Sequence, residues 1–174
     1  MNALVNLLAM QISWFACVLG AAHQLPWLGV FVALAVVALH LLRSAQRRVE
    51  LQLIISALLM GLVIDSALAG GGWIGFTSGT LMAGVTTPWM LGLWIAFATT
   101  LTSSLNWLML RPPLAVLFGA IGGPAAYWSG AKLGALTLTQ AAPALAAIGA
   151  CWAVAMAIFV VLVRRYATST RVAA

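Results

Sequence analysis

Acidic residues are almost missing from this chain: of 174 positions, only Glu50 and Asp65 are carboxylates. Charge of either sign is scarce at 6%, whereas a soluble domain carries about 25%. So little charge cannot coat a globule of this size in water. That excludes a soluble enzyme, a secreted disulfide scaffold and a disordered tail. Cysteine is limited to Cys17 and Cys151, both inside apolar runs, with no CxxC pair and no metal-ligand spacing. The two histidines, His23 and His40, fall at opposite ends of apolar segments, so no zinc ligand set forms. No nucleotide-binding glycine loop and no GxSxG elbow is present. A glycosidase would need two facing carboxylates. The inventory argues against a hydrolytic enzyme, implies no cofactor, and suits binding, transport or assembly.

What the chain has in excess is apolar surface. Hydrophobic residues make up 64%, and the mean hydropathy is +1.12. One bilayer crossing takes about 20 apolar residues, so six crossings use about 120. Apolar runs fall at about 3–22, 26–42, 51–69, 88–110, 114–136 and 143–163. The expected fold is an all-α integral membrane protein, a single six-helix transmembrane bundle. The first run lacks the basic flank of a signal peptide and reads as a retained helix. Residues 73–87, rich in Gly and Thr, read as a loop or interfacial segment, or as a re-entrant turn if protein surrounds it.

The basic residues orient this threading. With the N-terminus in the cytoplasm, inside loops receive Arg43, Arg47, Arg48, Arg111, Arg164, Arg165 and Arg171, and the outside receives only Lys132. That asymmetry agrees with the positive-inside rule and puts both termini in the cytoplasm. Trp27, Trp73, Trp89, Trp107 and Tyr166 fall near helix ends, as interfacial aromatics do. The net charge of +6 is thus a topology signal, not a nucleic-acid footprint.

Asp65 is the residue that most needs a reason. It lies about 21 Å along the third helix, inside the outer half of a core about 30 Å thick. A carboxylate there costs about 2.5–3.5 kcal/mol and should face the bundle interior with a partner. Tyr127 on the fifth helix matches its depth. Lys132 sits about 7 Å further out, on a stem long enough to reach back or to snorkel outward. Ser66 and Ser129 complete a candidate ligand site for a polar head group. The alternative is a structural bond locking two helices. Gly122, Ala126, Gly130 and Gly134 recur every four residues as a small-residue packing ridge, and Gly119 with Gly123 adds a GxxxG pair. Nearer the cytoplasm, Asn6 and Gln11 share a depth with Thr102, Ser103, Ser104 and Asn106, and read as a polar layer between helices.

Four strings carry a resemblance: QISWFACVLGAA, GLVIDSALAGGG, TTPWMLGLWIAFATTLTSSLNWL and GAIGGPAAYWSGAKLGAL. Together they resemble a family of small multi-pass proteins of the bacterial inner membrane, a domain of unknown function. Members carry an Asn-His pair where this chain has Thr102 and Ser103. The family's association with lipid-modification genes implies an accessory role in envelope lipid handling. The expected partners are membrane lipids, a lipid-like or amphiphilic ligand, or other membrane proteins. Two other readings stay open. One is a substrate-binding subunit of a small-metabolite importer, similar to energy-coupling-factor components, although their small-residue AxxxA motif is missing here. The other is a structural subunit of a membrane complex.

Overall fold

The computed structural model describes the backbone of residues 2–172 and the side chains through Arg165. The expected placements of Tyr166 and Arg171 therefore lie outside the described side chains. The chain is an all-α membrane protein with one small strand pair. Its elements are α1 (Ala3–Ala22), α2 (Pro26–Arg43), α3 (Arg47–Gly70), β1 (Ile74–Phe76), α4 (Pro88–Ala98), α5 (Asn106–Met109), α6 (Pro112–Lys132), β2 (Leu136–Leu138) and α7 (Ala141–Val172). Among the described residues, five helices are long and apolar enough to cross a membrane: α1, α2, α3, α6 and α7. Their outward faces suit lipid, with Leu4, Leu8, Ile12, Phe31, Ile55, Val63 and Ile121 all exposed.

Local chemistry sets the boundaries. Asn2 caps α1 by accepting from the Leu4 N–H. Pro26, Pro88 and Pro112 open their helices at positions where a missing N–H costs nothing. Three helices have bounds that differ from expectation. Helix α3 begins at Arg47 instead of about 51, which draws Glu50 into its first turn. Helix α6 ends at Lys132, because Gly134 (φ 89) turns the chain into β2. Helix α7 begins at Ala141 and extends to Val172, beyond the apolar run.

The largest departure is in the fourth apolar run, which is not one helix from 88 to 110. Helix α4 stops at Ala98, and residues 99–105 form tight turns before α5. The cause lies in TTLTSS. Thr99 and Thr100 donate their hydroxyls to the carbonyls of Ala96 and Phe97, at 2.7 and 2.6 Å. Such back-bonding competes with the helical ladder. Backbone N–H groups from Thr99 to Leu101 then bond three residues back instead of four. At 11 residues α4 is about 16 Å long, too short to cross a core of about 30 Å unaided. Eight of its residues are buried, as expected of a helix apolar on all sides. It is the bundle's central post, packed by α1, α2 and α3.

Residues 73–87 form an ordered cap. Strand β1 pairs antiparallel with β2, Gly75 opposite Thr137. The following loop is tied down where Ser78 Oγ donates to Ala21 O at 2.7 Å and Trp89 Nε1 donates to Ser78 O at 3.1 Å. This defines a ribbon end of the bundle. The opposite, arginine end holds the α2–α3 turn, residues 99–111 and Arg164, whose guanidinium donates to Leu110 O.

Candidate functional site

One face of α3 carries Glu50, Leu53, Ile54, Ala57, Gly61, Asp65 and Leu68 into the interior. Both carboxylates of the protein are on it, about 22 Å apart along the axis.

Asp65 is fully buried. Its Oδ2 accepts from Trp94 Nε1 of α4 at 2.7 Å. Its Oδ1 accepts from the Tyr127 hydroxyl of α6. Two neutral donors thus satisfy the acid, joining α3, α4 and α6. The Trp94 ring stacks on Trp152 of α7, with centroids 4.4 Å apart and planes 16° from parallel. Glycines floor both outer faces: a Cβ on Gly61 would strike Trp94, and one on Gly123 would strike Trp152. The order Gly61, Trp94, Trp152, Gly123 is a four-layer stack through four helices.

Lys132 is not the partner of Asp65. Its ammonium sits 5.5 Å from the ring centre of exposed Trp128, one helical turn earlier. With both oxygens of Asp65 already engaged, nothing draws Lys132 inward. Ser66 faces the cap and accepts from the Thr86 N–H at 3.1 Å. Ser129 donates to Ala125 O within its own helix, at 2.8 Å. The small-residue ridge divides by role. The close approach to α7 occurs at Gly119 and Gly123, where added methyls would meet Trp152 and Met156. Gly122, Ala126 and Gly130 border open space instead, and Gly134 lies in the turn before β2.

That open space is a cleft of about 410 Å³. Helix α1 supplies Leu7, Met10, Gln11, Trp14 and Val18 to one wall. Helix α6 supplies residues from Phe118 to Gly130 to the other. Helix α4 forms the back, with Trp94 and Tyr127 exposing to the cleft the rings that Asp65 holds. The wall positions on α1 follow helical spacing, so the cleft runs about 17 Å along the helix axis.

A second polar centre lies at the arginine end. Asn6, fully buried, donates its amide to Thr99 O at 3.1 Å and accepts from the Ser104 hydroxyl at 2.6 Å. It ties both ends of the turn that breaks the fourth run. The expected layer partners Ser103 and Asn106 enter only through backbone bonds, and Gln11 faces the cleft. Glu50 is 5% exposed. Its Oε1 accepts from the Thr102 hydroxyl at 2.6 Å, and its Oε2 lies 3.0 Å from His40 Nε2. Buried His40 Nδ1 has no partner among the described residues. Sequence reasoning placed Glu50 in a loop and His40 at an interface. The signal that finds them is the helical start at Arg47, which turns Glu50 onto the face of Asp65.

Among the described residues, no group of three or more His, Cys, Asp or Glu is placed to hold a metal ion. Compared with known protein families, residues 3–158 fit the family described as "Protein of unknown function (DUF2878)". The chain belongs to that family. No curated protein and no solved structure matches it.

Proposed function

We propose that this protein binds or positions a lipid-like, amphiphilic molecule in the cleft between α1 and α6. The observation that supports this is the cleft itself: about 410 Å³, elongated along the helices, and walled by apolar and aromatic side chains. A ligand site is characteristically concave, mostly apolar, and marked by a few placed polar groups. Asp65 acts in this reading as a positioning residue. It fixes the Tyr127 and Trp94 rings in the wall, and the head-group anchor expected of Lys132 is dropped.

In the same proposal the protein sits in the bacterial inner membrane with six crossings, the sixth made by the broken segment 88–109. Arg43, Arg47, Arg48, Arg111, Arg164 and Arg165 then lie on the cytoplasmic side, and Lys132 on the other. An accessory role in envelope lipid handling, which the resemblance noted above implies, belongs to the same proposal.

The test is native mass spectrometry of the purified protein with and without a plug in the cleft. A Cβ on Gly122 meets only the Phe118 ring, at 3.7 Å, so the site has room for a side chain. Wild type should carry a lipid adduct, and Gly122→Phe should lose it while keeping its unfolding temperature. An adduct that survives the plug places the ligand elsewhere. The crossing by 88–109 is tested separately, by labelling single cysteines at the exposed positions Leu81 and Leu110 in a chain lacking Cys17 and Cys151. Labels on the same side overturn the threading.

A further inference from the structure

The chemistry of the cleft wall says which amphiphile it takes, and the argument rests on the cleft reading above. Among the described residues, the wall contains no Asp, Glu, Lys, Arg or His. A phosphate or ammonium group placed there would lose its hydration with no counter-ion to replace it, a cost that few contacts offset. The charges next to wall residues have other partners. Asp65 lies behind the wall with both oxygens engaged, and Lys132 lies over Trp128.

The wall's hydroxyls are also committed. Thr100 donates to Phe97 O, Tyr127 to Asp65, and Ser129 to Ala125 O. Gln11 differs. Its amide makes no hydrogen bond among the described residues, although it borders the cleft. It sits eight residues into α1, about 12 Å from the start of the helix and thus near mid-depth in a core of about 30 Å. An amide in hydrocarbon without a partner is costly. Trp14, on the same helix face, adds an indole N–H three residues on. Both residues line the cleft.

We infer that the cleft selects an uncharged lipid, one whose chains lie along α1 and α6 and whose carbonyl or hydroxyl oxygen accepts from Gln11. The neutral oxygen satisfies the amide, and the aromatic wall takes the chains.

A matched pair of probes tests this. Dioleoylglycerol and dioleoylphosphatidic acid share their acyl chains and differ by one phosphate. Each is added at equal concentration to the delipidated full chain in a neutral detergent, and bound lipid is read by native mass spectrometry. The diacylglycerol should bind at least about tenfold more tightly. Gln11→Leu should weaken its binding about fivefold. Should Gln11→Leu lower the unfolding temperature, Gln11→Met carries the same test with a closer shape. Phosphatidic acid binding as tightly, while still blocked by Gly122→Phe, overturns charge selection and leaves the cleft reading standing. Unchanged diacylglycerol binding in the Gln11 variants overturns the role of that amide. If neither lipid binds, or Gly122→Phe blocks neither, both readings fall.

Discussion

Asp65 and Glu50 occupy the same face of one helix, and the protein treats them oppositely. Asp65 is held by an indole N–H on α4, whose ring stacks on Trp152 of α7, and by a phenol on α6. Glu50 is held by a threonine in a turn and faces a histidine whose other nitrogen has no partner among the described residues. The first acid is sealed by neutral donors on rigid elements, and the second ties down a break in the chain. A buried carboxylate thus need not mean an ion pair. Its burial has to be judged by what donates to it and by how firmly that donor is fixed.

Substitutions can break or sharpen this contrast, each read as thermal unfolding of the purified protein in detergent. Asp65→Leu should have the largest effect, about 3 kcal/mol, because it orphans two buried donors at once. A loss below about 1 kcal/mol would mean that the ring stack holds without the acid. Gly123→Leu should follow at about 2 kcal/mol, since the added side chain must displace the Trp152 ring. It should also weaken lipid binding, because Trp152 lines the cleft. Thr102→Val should cost about 1 kcal/mol by removing one bond to Glu50. Combined with His40→Gln it should deviate from additivity, because both residues meet the same carboxylate. Lys132→Gln should change stability by less than about 0.5 kcal/mol, as expected of an exposed cation over a ring. An effect as large as that of Asp65→Leu would restore the ion pair that the geometry removes.

The sequence made the membrane setting legible, because almost nothing but lipid can solvate such a chain. It also made legible that Asp65 must face inward, and that Tyr127 lies at its depth. Trp94 was missed. Tryptophan is read from sequence as bulk or as an interfacial marker, and only the stacking on Trp152 aims its N–H at the acid. The fracture after Ala98 was hidden because residues 88–110 are apolar enough for a continuous helix. What decides there is competition among short hydroxyl side chains, which hydropathy does not weigh. For Lys132 the sequence left two outcomes open: reach along a helix says where an ammonium can go, while the nearby Trp128 ring sets where it rests.

The layered rings also impose an order on assembly. Gly61 and Trp94 emerge from the ribosome before Gly123, and Trp152 comes last. A nascent chain halted after α6 holds Trp94 with one flat side bare and Gly123 with nothing to receive. The final helix therefore acts as a keystone, and the wall of the cleft is finished only when translation delivers it.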